Sequence, residues 1–192
     1  MHQDRLARQL DFLTEADKLK SVLRGTTLCD GSRRENSGEH SWHIALYALI
    51  LAEHANRPVR IDRVIKMLLI HDLVEIDAGD HPIHGDHDPS AVAKSERAAA
   101  QRVFGLLPPD QGEAYHHLWL EFEAGETDDA IFAKSIDRVQ PVISNLETDG
   151  GNWHDFNVTH EQLESRVGMK VRRGAPALWQ YLKARIAAHF DK

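Results

Sequence analysis

The sequence predicts an all-α protein that folds as a single compact helical bundle. Apolar residues recur at the spacing of amphipathic helices along most of the chain, and capping residues, glycine and proline divide it into helix-length segments. No run of residues alternates β-branched with polar side chains as a strand would. We expect one domain over residues 1–192, with a core over about 19–151 and the N- and C-terminal helices packed on that core.

Four helices are predicted in the first half of the chain, at about 6–23, 37–55, 61–76 and 88–104. The first is amphipathic, because leucines from Leu6 to Leu23 recur at helical spacing. The second begins near Ser37, a good N-cap residue, and its apolar residues face nearly every direction, which predicts a buried central helix. The Ala78-Gly79-Asp80-His81-Pro82 sequence closes the third, and the Asp88-Pro89 pair begins the fourth.

Four further helices are predicted in the second half, at about 109–124, at 127–148, as a short helix from residue 159, and at 176–190. Thr127 caps the second of these, and Thr159 with Gln162 forms a capping-box pattern. Pro141 lies four residues after Asp137 and lacks an N–H, so we expect a bend there and a carbonyl of Asp137 without its usual partner.

Composition and charge exclude several classes of protein. The formal net charge of -7 does not suit a protein that clamps a nucleic acid polymer, because that affinity comes largely from Lys and Arg. The single cysteine, Cys29, allows no intramolecular disulfide. The N-terminus lacks the apolar stretch of a signal peptide, and no window approaches the roughly 20 apolar residues of a membrane span. We therefore expect a cytoplasmic protein without a membrane or nucleic acid polymer as partner.

The segment LLIHDLVEIDAGD is the most informative for chemistry. His71, Asp72 and Glu75 fall within one narrow sector of a single predicted helix, directly after the apolar run 67–70. Burying charge at the edge of a core is costly unless the charges are paired or bind a metal. An isolated His-Asp pair is more simply a core histidine beside solvated carboxylates. Here His40 and Asp137, on two other predicted helices, favour a shared cation.

Three segments together resemble the HD-domain superfamily of metal-dependent phosphohydrolases, and within it the 5′-deoxynucleotidase branch. They are RRENSGEHSWHIA, MLLIHDLVEIDAGDHP and AKSIDRVQPVISNLETDGG. The resemblance spans about residues 19–151 and implies an HD-type hydrolase fold, a homodimer and hydrolysis of a small nucleotide. The metal ligands that it implies are His40, His71, Asp72 and Asp137.

The resemblance also implies roles for other residues. Glu75 would position or deprotonate the attacking water, and Asp80 would assist at the leaving group or the sugar. Arg24 would hold the phosphate, and Gly25 stands where relatives carry an aromatic residue that packs on the sugar.

Further expectations follow from residue chemistry. Two imidazoles and two carboxylates suit one divalent transition metal, Mn²⁺, Co²⁺, Fe²⁺, Ni²⁺ or Zn²⁺, with Mg²⁺ as a further candidate. Arg33 and Arg34 precede the first ligand and either join Arg24 in neutralising phosphate or remain solvated loop charges.

The leading functional hypothesis is hydrolysis of nucleoside 5′-monophosphates to nucleoside and phosphate. The alternatives are a nucleotide pyrophosphohydrolase or phosphodiesterase, and a nucleotide-sensing metal-binding module without turnover. A second metal at His81, His84 and His87 stays open, and oxygenase chemistry would require it. The apolar residues around Trp119, Phe122 and Trp179 supply either a dimer surface or part of the core.

Overall fold

The computed structural model describes residues 2–191 and contains α-helices and one two-stranded antiparallel sheet, so that residues 1 and 192 of the expected domain lie outside the described part. The strands are β1 (Leu23–Thr27) and β2 (Arg34–Asn36). The α-helices are α1 (His2–Ala16), α2 (Ser37–Leu51), α3 (Ile61–Ile70), α4 (Glu75–Ala78), α5 (Pro89–Phe104), α6 (Pro109–Ala124), α7 (Asp128–Glu147), α8 (His160–Leu163), α9 (Met169–Gly174) and α10 (Pro176–Phe190). The predicted all-α class is confirmed.

Helix α7 lies at the centre of the fold and packs against α2, α3, α6, α9 and α10. It contributes Phe132 and Ile136 to the main hydrophobic core. Trp119, Phe122 and Trp179 are each at most 3% exposed, so all three belong to core clusters. The suggestion that these residues form a dimer surface is therefore wrong, and their interpretation as core residues is confirmed.

Local capping signals predicted several helix ends well. The side chains of Asp88 and Thr127 cap α5 and α7, and Thr159 with Gln162 forms the capping box of α8. Gly79 ends α4 with a φ of 79°, a backbone conformation that glycine adopts without a steric penalty. Helix α2 begins one residue away from the prediction, because Asn36 rather than Ser37 is its N-cap.

The β1–β2 hairpin was not predicted. The first helix ends at Ala16, and a 3₁₀ turn, Asp17–Ser21, leads into β1 instead of continuing the helix to Leu23. The strands pair Leu23 with Asn36 and Thr27 with Arg34. The hairpin places the ionisable side chains of Arg24 and Glu35 against the segments that carry the candidate metal ligands.

The first two helices are less buried than their sequences predict. On α1, the side chains of Leu6, Leu10 and Leu13 are all more than half exposed. Helix α2 buries the face that carries His40 and Ile44, whereas its other face exposes large apolar side chains. Helix α2 thus buries only one of its faces, and the expectation of a helix buried on all sides is wrong.

The third predicted helix is interrupted where its charged residues begin. Helix α3 ends at Ile70, a 3₁₀ turn covers His71–Val74, and α4 starts at Glu75. Helix α7, by contrast, continues through Pro141 to Glu147. Among residues 2–191, no helix combines the length and the apolar character needed to cross a membrane.

Candidate metal centre

The four predicted metal ligands come from three segments that pack together. His40 is the fourth residue of α2, the 3₁₀ turn carries His71 and Asp72, and Asp137 lies in the middle of α7. All four side chains lie at the edge of the core, and none of the four residues is more than 9% exposed. The fold therefore brings residues that are distant in sequence to one buried location.

The distances between these side chains define the centre. Oδ1 of Asp137 lies 3.1 Å from Nε2 of His40 and 3.8 Å from Nε2 of His71. Nε2 of His71 lies 2.9 Å from Oδ1 of Asp72. Potential ligand atoms of His40, His71 and Asp72 all lie within 4.8 Å of one another, and Asp137 joins this group through its contacts with both imidazoles.

Both imidazoles have the orientation that metal ligands require. Nδ1 of His40 lies 3.0 Å from the amide oxygen of Gln140, and Nδ1 of His71 lies 2.9 Å from the carbonyl oxygen of Leu68. When Nδ1 donates to such an acceptor, the lone pair is on Nε2. In both residues Nε2 is the atom that faces the carboxylates, so the residues fit a divalent cation.

Charge in and around the centre also fits a cation. Burial lowers the pKa of His71, but the carboxylates of Asp72 and Asp137 outweigh that effect and raise it to about 10. Without a metal the imidazole is therefore protonated at neutral pH, and a metal ion would displace that proton from Nε2. Burial opposes ionisation of Asp72, yet the charges of His71 and Arg24 lower its pKa below the usual value. Arg138 and both imidazoles lower the pKa of Asp137 in the same way, again against the effect of burial. Both carboxylates are thus ionised at neutral pH, as metal coordination requires.

Glu75 and Asp80, the predicted catalytic residues, lie beside the ligands. The hydroxyl of Ser37 donates to Oε2 of Glu75 at 2.5 Å. Burial raises the pKa of Glu75 well above its usual value, and the charge of Asp72 adds to this shift. Asp80 accepts from the backbone N–H of Gly25 at 3.2 Å, and burial raises its pKa as well. Raised carboxyl pKa values suit groups that transfer protons near neutral pH.

Arg24 lies among carboxylates at the inner end of the site. Its Nη1 lies 2.8 Å from Oδ2 of Asp72, 3.4 Å from Oδ1 of Asp80 and 3.6 Å from Oε1 of Glu75. Its Nε lies 3.8 Å from Oε1 of Glu35, which is 2% exposed. Strand β1 thus supplies a buried positive charge that is shared by four acidic side chains.

A cavity opens next to the metal centre. Arg24, Asp80 and Asp137 form the wall that the cavity shares with the centre. The remaining lining combines apolar side chains with amides and with histidine and arginine: Gly25, Thr26, His81, Pro82, Ile83, His84, Arg138, Pro141, Val142, Asn145, Asn152, Trp153, Leu163 and Val167. A small polar molecule can therefore approach Asp137 from this side.

The two other predicted arginines lie in the exposed hairpin. Nη1 and Nη2 of Arg33 donate to the carboxylate of Glu39, at 2.8 and 2.6 Å. Nη2 of Arg34 lies 3.6 Å from Oδ2 of Asp155, and both of these side chains are more than half exposed. The structure does not bring Arg33 or Arg34 to the described cavity lining, and their contact with phosphate stays a prediction.

The three histidines considered for a second metal lie in the loop after α4. The rings of His81 and His87 lie 5.3 Å apart, and His84 lines the cavity. Within the described part of the chain, three or more candidate ligand residues meet only at His40, His71 and Asp72. The oxygenase hypothesis, which needs these extra ligands, therefore gains no support from the arrangement of the loop.

Sequence reasoning missed several residues around the centre. Gln140, Glu35 and Ser37 contact His40, Arg24 and Glu75 respectively, and Arg138 lines the cavity. Gln140 lies three residues after Asp137, a spacing that places two side chains on one helix face and was available in the sequence. Glu35 carried no such signal, because its position depends on the pairing of β1 with β2.

Comparisons with known proteins agree with this geometry. The HD domain family model matches residues 16–179. The 5′-deoxynucleotidase HDDC2 of Bos taurus is 28% identical over 154 residues, which cover 77% of this chain and 73% of that protein. The 5′-deoxynucleotidase plu3092 of Photorhabdus laumondii is 27% identical over 164 residues, which cover 81% of this chain and 82% of that protein.

A solved structure is more similar still. The crystal structure of a predicted metal-dependent phosphohydrolase from Magnetospirillum magnetotacticum MS-1 is 49% identical, with a TM-score of 0.92, over 98% of this chain and 94% of that one. The family match and this relative both extend over most of the chain, and the prediction from the sequence motifs is confirmed: the chain belongs to the HD domain family.

Proposed function

We propose that this chain is a metal-dependent phosphohydrolase that cleaves nucleoside 5′-monophosphates into nucleoside and inorganic phosphate. The observation that carries the proposal is the meeting of His40, His71, Asp72 and Asp137 beside a cavity, with Glu75 and Asp80 next to them. The names of the relatives support this substrate class, since two are 5′-deoxynucleotidases and one is a predicted metal-dependent phosphohydrolase.

His40, His71, Asp72 and Asp137 would hold one divalent ion. Their mixed nitrogen and oxygen donors suit Mn²⁺, Co²⁺, Fe²⁺, Ni²⁺ or Zn²⁺, with Mg²⁺ as a further candidate. Bound there, such an ion supplies positive charge that polarises the phosphoryl group and acidifies water.

The chain's own acidic residues handle the protons. Water attacks phosphorus, a new P–O bond forms, and the bond between phosphorus and the ester oxygen breaks. Without a metal, the raised pKa of Glu75 favours its protonated form, and the charge of a bound ion would lower that pKa and leave a carboxylate. Held by the hydroxyl of Ser37, this carboxylate would take the proton of the attacking water. Asp80, whose pKa is raised by burial, is the group we assign to donate a proton to the leaving oxygen of the nucleoside. The role of Arg24 in holding phosphate belongs to the same proposal, because Arg24 lines the cavity.

The deoxynucleotidases that the sequence resembles carry an aromatic residue where this chain has Gly25. The cavity wall next to Gly25, which would face the sugar, is therefore different in this chain. A Cβ atom on residue 25 would lie 3.1 Å from Nδ2 of Asn152 and 3.4 Å from Cγ of Pro82. Asn152 and Pro82 therefore occupy the space next to Gly25, and a large aromatic side chain would displace them. We propose that these two residues, rather than an aromatic ring, contact the sugar of the substrate.

A homodimer and a cytoplasmic location stay predictions. The outward face of α2 is one surface that a second copy would bury, because Trp42, Leu46, Leu49 and Ile50 are 41–65% exposed there. Sedimentation velocity over a range of protein concentrations measures the mass in solution. A monomer at every concentration would contradict the predicted dimer.

Phosphate release tests the function directly. The metal-stripped protein is reloaded with each candidate ion and incubated with nucleoside 5′-monophosphates, 3′-monophosphates, nucleoside diphosphates and pyrophosphate, in ribose and deoxyribose forms where these exist. We expect the metal-loaded protein to release phosphate from 5′-monophosphates and the metal-stripped protein to release none. Cleavage confined to the diphosphates would replace this proposal by a pyrophosphohydrolase, and binding without release in every combination would replace it by a sensor.

A further inference from the structure

The cavity wall next to Asp137 carries an arginine that the functions above leave without a role. Arg138 follows Asp137 on α7, and its side chain is 28% exposed. Its Nε is buried and has no hydrogen-bond partner among residues 2–191. The only carboxylate of the described residues in ionic contact with it is Asp137, whose Oδ2 lies 3.7 Å from Nε. Buried N–H groups without an acceptor are costly and rare, so we expect Nε–H of Arg138 to donate to a bound ligand.

His84 supplies a second unpartnered group in the same cavity. Its Nδ1 is buried, and no donor or acceptor reaches it from the part of the chain that the structure describes. Burial, together with the charges of Arg166 and Arg138, lowers the pKa of His84 to about 4. The imidazole is therefore neutral at pH 7 and can donate one hydrogen bond to a ligand.

Arg24 and Arg138 differ in how far their charges are already neutralised. Arg24 lies within 4 Å of carboxylate oxygens of Asp72, Asp80 and Glu75. Among the described residues, Asp137 is the only carboxylate in ionic contact with Arg138, and it would also face the divalent ion. A phosphate group approaching the centre would therefore gain more attraction from Arg138 than from Arg24.

Positive charge continues outward from Arg138. Arg166 donates to the carbonyl oxygen of Ile83 at 3.3 Å, next to His84. The pKa of Lys170 is lowered by burial and by the positive charges of Arg138 and Lys134, which places these cations near one another. Carboxylates thus lie at the inner end of the cavity, whereas Arg138 lines the cavity wall and has further cations near it, an arrangement that attracts an anion to the side of Arg138.

We propose that Arg138 and His84 form an anion subsite that holds the phosphate of a phosphomonoester next to the metal centre. This inference rests on the proposed function and adds to it the residues that recognise the phosphate. The guanidinium fork of Arg138 binds phosphate oxygens, for which its planar donors are suited, and Nδ1–H of His84 donates a further hydrogen bond. Arg166 and Lys170 attract the dianion without contacting it.

Binding measurements separate this subsite from turnover. Isothermal titration calorimetry measures the affinities of inorganic phosphate, a nucleoside and Mn²⁺ for the wild type, Arg138→Gln, Arg138→Lys and His84→Gln. Arg185→Gln is the matched control, because it removes an equally charged side chain that pairs with Glu147 away from the cavity. Thermal unfolding of each variant confirms that it is folded.

We expect Arg138→Gln to weaken phosphate binding by about 10- to 100-fold, the effect of losing a hydrogen bond to a charged group. Nucleoside and Mn²⁺ affinities should change less than about twofold, a difference below 0.5 kcal/mol. Arg138→Lys should recover part of the loss, and His84→Gln should give a smaller one. Unchanged phosphate affinity in Arg138→Gln would overturn the subsite, as would an equal loss of phosphate, nucleoside and Mn²⁺.

The subsite and the proposed function fail in different ways. If the wild type released no phosphate from any monophosphate but bound phosphate through Arg138, the function would fail and the subsite would stand. If the wild type turned over 5′-monophosphates and Arg138→Gln changed neither phosphate affinity nor inhibition by phosphate, the subsite would fail and the function would stand.

Discussion

The amide oxygen of Gln140 on α7 lies 3.0 Å from Nδ1 of His40 on α2, which turns Nε2 of the imidazole toward Asp137. The amide nitrogen of Gln140 in turn contacts the hydroxyl of Ser144 at 3.1 Å and a carboxylate oxygen of Glu35 at 3.3 Å. These contacts fix which end of the amide faces the imidazole. The position of one candidate ligand therefore depends on an uncharged neighbour that is not itself a predicted ligand.

Replacing Gln140 by leucine should weaken Mn²⁺ binding by about 10- to 100-fold, the range found when an outer partner of a metal-bound histidine is removed. The physical reason is that the ring of His40 loses the acceptor that fixes its tautomer and orientation. Competition with a calibrated chelator measures the affinity, and Gln180→Leu at an exposed position is the control. Equal affinities in wild type and Gln140→Leu would show that packing alone orients His40.

The Asp137→Asn variant should lose most of its bound metal. An amide oxygen is a neutral and weaker donor than a carboxylate, and both imidazoles would lose the charge that they face. Elemental analysis of the purified protein gives the metal content. Asp62→Asn removes an exposed carboxylate elsewhere and should keep the wild-type content. Full metal occupancy in Asp137→Asn would remove Asp137 from the proposed ligand set.

The Glu75→Gln variant should keep its metal and slow phosphate release by about a hundredfold or more, the usual effect of losing a general base. Its carbonyl oxygen can still accept from the hydroxyl of Ser37, so the local structure should persist. Metal analysis and single-turnover kinetics are measured on the same preparation. A loss of metal as large as that in Asp137→Asn would place Glu75 among the ligands instead.

Titration of His84 should make stability depend on pH. Its pKa is about 4 in the folded protein, against roughly 6.5 for an unperturbed histidine, because of burial and of the charges of Arg166 and Arg138. The unfolded chain binds more protons between these values, so stability falls as pH drops from about 6.5 toward 4. Above about pH 6.5 the imidazole is neutral in both the folded and the unfolded state, so its titration no longer lowers the stability.

Urea unfolding at pH 7, 6 and 5 checks this expectation. The free energy of unfolding of the wild type should fall relative to that of His84→Gln as the pH decreases, because the variant has no imidazole to protonate. Gln180→Leu, which changes an exposed residue without a titratable group, should keep a constant difference from the wild type. A difference between wild type and His84→Gln that does not change with pH would contradict the assigned shift.

The sequence predicted the features that local signals determine. The caps at Asp88, Thr127 and Thr159 could be read directly, because a capping side chain bonds to backbone within a few residues of itself. The motif residues were found because the His-Asp pair and the isolated His40 and Asp137 follow a known order along the chain. All four lie together in the structure, although their metal binding awaits the measurements above.

The features that were missed depend on contacts between distant segments. The β1–β2 hairpin lacks an alternating apolar pattern, because Arg24 and Glu35 face the ionisable cluster rather than an apolar core. The break at His71 was hidden by the apolar pattern, which continues from α3 through Val74. His84 was considered as a ligand of a second metal, whereas its position in the cavity wall depends on a loop whose path the sequence did not predict.

The three segments that carry the candidate ligands meet only when the chain is folded. In the unfolded chain His71 and Asp72 are still neighbours, but α2 and α7 are separated from them by long stretches of sequence. An ion shared by all four side chains would act as a cross-link that closes two long loops and binds the native state almost exclusively. Free metal would then add to the free energy of unfolding, so that metal scarcity would lower the stability of the protein as well as its turnover.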